Sequence, residues 1–208
     1  MPTDLEQART LPVAAIGTVL ALATCTKPVA TLASTATSLG SGPEGHARDG
    51  DLMTASGIGH RLSIQERLYP SLPCFGCGPS NTKGLQLRSY PGDGVVTAAF
   101  MPWPEHDNGL GYLNGGIIST VLDCHSAAAV MVEAERHGWP PLPGAALPYV
   151  TAGLDVRYLR PCPLHDRTEL RAVVTAVDEA QMTAEAELVW DGKIRATATA
   201  HWKRWRPR

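Results

Sequence analysis

Along the last third of the chain, apolar and polar positions alternate with a period of two. Met182, Ala184, Ala186, Leu188 and Trp190 are interleaved with Thr183, Glu185, Glu187 and Val189, and Ile194, Ala196, Ala198, Ala200 and Trp202 with Arg195, Thr197, Thr199, His201 and Lys203. Such alternation predicts half-buried strands, and Asp191-Gly192 between the two runs predicts a hairpin. A further strand is expected over Thr168 to Val177, ended by Asp178-Glu179, and another over Tyr149 to Leu159, closed by Arg160-Pro161-Cys162-Pro163. Four strands with short connections predict an antiparallel meander.

Upstream the period changes. Ile118, Val121, Leu122, His125, Ala128, Ala129 and Val132 recur at intervals of three and four, which predicts one long helix from Gly115 to about His137. Asn114 suits the N-cap and Gly138 the C-cap, and Trp139-Pro140-Pro141 forbids continuation. Earlier still, Leu85 to Tyr90 and Val95 to Met101 flank Pro91-Gly92-Asp93-Gly94, a further hairpin signal. A strongly apolar helix among antiparallel strands must bury itself against the sheet, so the expected class is α+β, a long central helix wrapped by a curved antiparallel sheet. One face of that helix carries Gly116, Ser119, Asp123, Ser126 and Ala127, small enough for a partner chain to approach closely.

Composition narrows the function classes. The 208 residues hold 18 Lys+Arg against 20 Asp+Glu, with no long basic run, so the footprint that nucleic-acid binding needs is missing. No uninterrupted apolar stretch of about 18 residues occurs, so no membrane-crossing helix is expected.

Residues 1–52 differ from the rest: they contain no Phe, Trp or Tyr, and hold three basic against five acidic side chains. Such a segment has little apolar surface to offset its ordering entropy, and is read as a leader outside the core, dispensable to a domain at 53–208. Leu11 to Ala23 has the look of a signal segment, but Asp4 and Glu6 spoil the positive start that export requires. A disordered leader, or a start at Met53, fits better, and the expected location is cytoplasmic.

The five cysteines, Cys25, Cys74, Cys77, Cys124 and Cys162, form no regular disulfide framework. Cys74-Phe-Gly-Cys77 is the one C-x-x-C pair. A zinc site would need two more ligands, and Cys124 and His125, adjacent on a helix, point about 100° apart and cannot easily meet at one ion. A tight loop with buried thiols is therefore expected, with no metal.

The candidate chemistry lies at the start of the helix. Gly115-Gly116 there costs about 1 kcal/mol per glycine relative to alanine, which suggests a backbone requirement. Unpaired first-turn N–H groups at the positive end of the helix dipole can receive a carbonyl oxygen that becomes negative during attack, although a tight turn with close packing would also use glycine. Asp123 lies on nearly the same face, about 10 Å further along from Gly116, too far to act on a carbonyl held at the N-terminus of its own helix. A two-fold partner helix running the other way could supply its own Asp123, giving sites shared between two chains.

The run from Asn108 through Asn114-Gly115-Gly116 to Asp123 resembles the signature of hotdog-fold acyl-CoA thioesterases of the phenylacetate-pathway (PaaI-like) and human THEM-type branch. In that pattern an Asn stands six residues before His-Gly-Gly, and an Asp or Glu follows seven after the last Gly. Thr151 to Pro163 is similar to the strand after the helix in those enzymes, and Cys74-Phe-Gly-Cys77-Gly resembles a lead-in segment of some members, so the likeness spans about Cys74 to Lys203. The resemblance implies a hotdog fold and hydrolysis of an acyl-CoA thioester, without cofactor or metal, in a homodimer or a dimer of dimers. Carried over by position, it implies that the Gly115 N–H polarises the thioester carbonyl, that the partner's Asp123 is general base or nucleophile, that Thr151 holds the attacking water, and that Asn108 orients Asp123 or the water. Asn114 and Gly116 would border the substrate. Asn114 stands where the family has His; it can cap the helix but brings neither the charge nor the aromatic contact. A hotdog module that binds an acyl thioester without turnover is the alternative. His106 and His125 have no motif support as bases, and the tail from Lys203 to Arg208 is read as solvated in preference to a contact for coenzyme A phosphates.

Overall fold

The computed structural model describes residues 61–207; the leader, Cys25 and Met53 lie outside them. The elements run α1 (Ile64–Leu68), β1 (Ser89–Pro91), β2 (Val96–Phe100), a short 3-10 turn at Pro104–His106, α2 (Gly115–Arg136), β3 (Tyr149–Tyr158), β4 (Thr168–Val177), β5 (Gln181–Trp190) and β6 (Lys193–Arg204). The strands form one antiparallel six-stranded sheet in the order β1-β2-β4-β5-β6-β3.

The expected meander is thus kept only over β4, β5 and β6. β3 crosses to the far edge and pairs with β6, from Tyr149 opposite Arg204 to Tyr158 opposite Ala196. The link from β3 to β4 explains this, since residues 159–167 with Pro161 and Pro163 exceed the two to five residues of an ordinary hairpin loop. β4, freed from β3, pairs with β2 instead. The Asp191-Gly192 hairpin forms as expected, both residues at positive φ (51° and 64°). The earlier hairpin is shorter than its sequence pattern, because β1 begins only at Ser89.

The helix forms where the three-four periodicity places it. The Asn114 side chain accepts the Gly116 N–H at 2.8 Å, His137 closes the C-terminus, and Gly138 follows at φ +67°. Its buried side, including Ile118, Val121, Leu122 and Ala129, lies against Leu170 and Ala172 of β4, Ala186 and Leu188 of β5, and Ala196 and Ala198 of β6. Alanines on the facing strands let the sheet wrap closely, while Leu122, Leu170 and Leu188 bury whole side chains, each worth about 1.5–3 kcal/mol. By length and composition α2 is apolar enough to cross a membrane, contrary to what the uninterrupted runs suggest; in this fold the sheet covers much of it.

Two further features position the site. A β-bulge between Thr151 and Gly153 changes the phase of β3. Tyr149 and Thr151 face the helix before it, and Leu154, Val156 and Tyr158 after it. At the other end, α1 opens with a capping box between Ser63 and Glu66, and its buried Gln65 exchanges two hydrogen bonds with Ser89 of β1. The Ser89 hydroxyl meets His125 Nδ1 at 2.9 Å, and His125 Nε2 meets the Val96 carbonyl at 3.1 Å. His125, fully buried, is thus a core histidine, and burial holds its pKa down at about 4, so the ring is neutral.

Candidate active site

Asp123 emerges from the middle of α2 into an apolar cavity of about 330 Å³ whose walls include Ile64, Leu72, Met131, Tyr149, Thr151 and Trp202. Thr151 Oγ1 donates a 2.8 Å hydrogen bond to Asp123 Oδ1. Burial pushes the Asp123 carboxyl above the ordinary aspartate range, the Thr151 hydroxyl pulls it partly back, and the nearby Cys74 sulfur adds to the rise. A carboxylate oriented by one hydroxyl in an apolar wall can accept a proton from water or attack a carbonyl directly. Trp202, whose buried indole N–H has no partner among the described residues, also lines the cavity.

The remaining candidates sit at the N-terminal end of the helix. Asn108, Gly115 and Gly116 border a second depression, together with Tyr112 and Tyr158. Asn114 occupies the Gly116 N–H, whereas the Gly115 N–H has no acceptor among the described residues. The Gly115 carbonyl accepts from Ser119 Oγ at 3.0 Å and from Tyr158 Oη at 2.9 Å. A Cβ at Gly115 would lie 3.4 Å from the Tyr158 ring, so β3 holds the glycine from behind. Tyr158 was not among the residues singled out from the sequence; its only signal is its place in the strand after the helix. Asn108 Oδ1 accepts from the Leu110 N–H at 2.8 Å and the Tyr112 N–H at 3.4 Å, which shapes the loop leading to Gly115.

The structure therefore brings the six candidates together as two groups, Asp123 with Thr151, and Asn108, Asn114 and Gly116 with Gly115. Eight residues of helix separate Gly115 from Asp123, an axial distance of about 12 Å. The helix face expected to be open to a partner is partly covered within the subunit: Tyr158 Oη lies 2.7 Å from Ser119 Oγ, and Ser126 is buried with its hydroxyl donated to the Asp123 carbonyl. β3 is an edge strand whose Thr151, Ala152, Asp155 and Arg157 are exposed.

Other candidates resolve into structural roles. His106 Nδ1 accepts the Trp103 N–H at 3.1 Å, beside the Phe100 and Trp103 rings. Arg204 is not free for a phosphate, because its guanidinium donates to the Trp139 and Pro140 carbonyls and lies over the Tyr149 ring. The turn at Cys74 to Gly78 is tight and its Cys77 thiol buried, as expected, but Cys124 also joins it. Cys124 and His125 do point apart, and for that reason Cys124 reaches Cys74 and Cys77 while His125 enters the core; the three Sγ atoms lie within 4.8 Å of one another. Hydrogen bonds from Cys124 and Cys77 hold the Cys74 thiol far below the ordinary cysteine range, and contact with Cys74 pushes Cys124 up.

Residues 110–197 match the family model described as the thioesterase superfamily, a stretch running from the loop before α2 into β6. Among solved structures, the domain is similar to a phenylacetic acid degradation-related protein from Ralstonia eutropha JMP134 (23% identity, 68% of this chain and 98% of that chain, TM-score 0.53). It is also similar to AziG from S. sahachiroi (17% identity, 59% and 94%, TM-score 0.50) and to a thioesterase superfamily protein from Shewanella loihica PV-4 (26% identity, 61% and 97%, TM-score 0.49). No curated protein sequence matches the chain.

Proposed function

We propose that this chain, whose domain is a hotdog-fold member of the thioesterase superfamily, hydrolyses an acyl-CoA thioester to a carboxylic acid and free coenzyme A. Superfamily membership supports thioester hydrolysis as the general chemistry. The observation that carries the finer reading is the Thr151–Asp123 hydrogen bond in an apolar cavity, paired with a Gly115 N–H that has no acceptor among the described residues. Asp123 removes a proton from water, or attacks as nucleophile, while the Gly115 N–H and the helix dipole stabilise the oxyanion of the tetrahedral intermediate. Thr151 orients the carboxylate and the water. Asn108, at the Gly115 end, meets the Asp123 of a partner.

The axial distance of about 12 Å supports a site shared across a homodimer, or a dimer of dimers, because one carbonyl cannot touch both groups of a single helix. The exposed edge of β3, which carries Thr151, supports a partner strand there. The apolar cavity takes the acyl group, and the partners are the acyl-CoA and a second copy of the chain. The proposed compartment is the cytoplasm, in keeping with the free thiols of Cys74, Cys77, Cys124 and Cys162.

Thiol release from a panel of aliphatic and aromatic acyl-CoAs tests the activity. Turnover by the wild-type protein and its loss in Asp123→Asn are expected; an Asp123→Asn protein as active as wild type would remove the carboxylate from the mechanism. A second reading, binding without turnover, is favoured by one observation: Asn114 stands where the family pattern has His, and its side-chain oxygen is committed to the helix cap. Tight acyl-CoA binding with no thiol released across the whole panel would select it.

A further inference from the structure

Three sulfurs that the proposed reaction does not use share the cavity wall beside Asp123. Cys74 and Cys77 come from the turn ahead of β1 and Cys124 from α2, and the closest pair, Cys74 Sγ and Cys124 Sγ, is 3.7 Å apart. A zinc–sulfur bond is about 2.3 Å, so two corners of a tetrahedron around the ion stand about 3.8 Å apart. The closest pair already has the spacing of two thiolates on one ion, and the third sulfur lies within 4.8 Å of both.

The turn is built for this approach. A Cβ at Gly76 would stand 2.3 Å from Cys124 Sγ, so only glycine lets the turn sit this close to the helix. A Cβ at Gly78 would fall 2.3 Å from the Cys74 nitrogen, and the Gly78 N–H closes the turn on the Cys74 carbonyl at 2.9 Å. The thiolate is the form of cysteine that ligates metals. A disulfide would consume two of the sulfurs and leave the third without a role, whereas one ion engages all three.

We propose that Cys74, Cys77 and Cys124 bind one thiophilic divalent cation, zinc foremost, as three thiolates, with a solvent molecule at the fourth corner facing the cavity. On binding, each sulfur that is still protonated gives its proton to solvent as its zinc–sulfur bond forms. The ion ties the turn at 74–78 to α2, and Asp123, already bonded to Thr151, stays outside the ligand set. It fixes one wall of the cavity and takes no part in the hydrolysis.

The test uses the full chain, purified reduced and without chelator. Elemental analysis should find one zinc per chain, and cobalt(II) in its place should show intense sulfur-to-cobalt charge-transfer bands with tetrahedral d–d absorption. In competition with a chromophoric chelator, Cys74→Ser should weaken zinc binding by about 100-fold or more, while Cys25→Ser and Cys162→Ser leave it unchanged. Should a cysteine variant fail to fold, the wild-type protein alone decides: zinc should raise its unfolding temperature and chelator lower it. Reduced protein holding well below one ion per chain in excess zinc, a cobalt spectrum without thiolate bands, undiminished binding by Cys74→Ser, or a Cys74–Cys124 disulfide that persists in reducing buffer would each overturn the proposal. None of these readouts depends on turnover.

Discussion

Thr151 Oγ1 reaches Asp123 Oδ1 at 2.8 Å because a bulge in the edge strand comes immediately after the threonine. Tyr149 and Thr151 are presented to the helix by one phase of the strand, and the residues from Leu154 onward by the other, so the hydroxyl meets the carboxylate while Tyr158 still reaches Gly115.

Removing that hydroxyl should separate positioning from chemistry. Thr151→Val is expected to lower kcat by about 10- to 100-fold with little change in KM, whereas Asp123→Asn lowers kcat by about 1,000-fold or more. Steady-state kinetics on the best acyl-CoA measure both. Equal losses in the two variants would give Thr151 a direct part in the bond-making step.

Gly115 can be tested through its nitrogen. Proline is well tolerated at the first helical position, and Asn114 before it already has the extended conformation (φ -62°, ψ 136°) that a following proline requires. Gly115→Pro should therefore fold, yet lose about 100- to 1,000-fold in kcat because the N–H donor is gone. Gly115→Ala keeps the donor and, with its Cβ at ordinary contact distance from Tyr158, should keep most of the activity. Circular dichroism and thiol release together check the pair.

Shared sites make a numerical prediction. A random one-to-one mixture of Asp123→Asn and Gly115→Pro subunits, allowed to exchange, should recover about a quarter of wild-type activity, since half the dimers are mixed and each mixed dimer holds one intact site of two. Mixed dimers without activity would mean that each site draws on one chain only.

His125 should matter to stability and not to catalysis. Its two ring nitrogens bond Ser89 and the Val96 carbonyl in a fully buried position, so His125→Ala is expected to cost about 3 kcal/mol or more in a urea unfolding experiment. Ser89→Ala should cost nearer 1 kcal/mol. Whatever protein remains folded should retain wild-type kcat.

Period and punctuation made the elements legible in the sequence: the cap at Asn114, the stop at Trp139-Pro140-Pro141 and the turn at Asp191-Gly192 all appear where the residues place them. Neighbours were harder to read. Alternation shows that Tyr149 to Tyr158 is a strand but carries no information on its partner, and an extra residue at the bulge reverses which side chains face the core. The cysteines show the same limit from another side. The divergence of Cys124 and His125 is plain from helical geometry, but only the path of the turn at Gly76 reveals that Cys124 has two other sulfurs to meet. Tyr158 escaped for a related reason, since nothing local to a strand end announces contact with a helix N-terminus.

The covering of α2 has a further consequence during synthesis. The helix is complete at Arg136, whereas three of the strands over it, β4, β5 and β6, end only at Arg204, so a nascent chain presents a segment of membrane-crossing length and apolarity before its shelter exists. For that interval the emerging chain carries an apolar helix without the strands that bury it. Slow translation between Tyr149 and Arg204 would lengthen the exposure, and the yield of folded protein in the cell would then depend on elongation rate as well as on the stability of the finished domain.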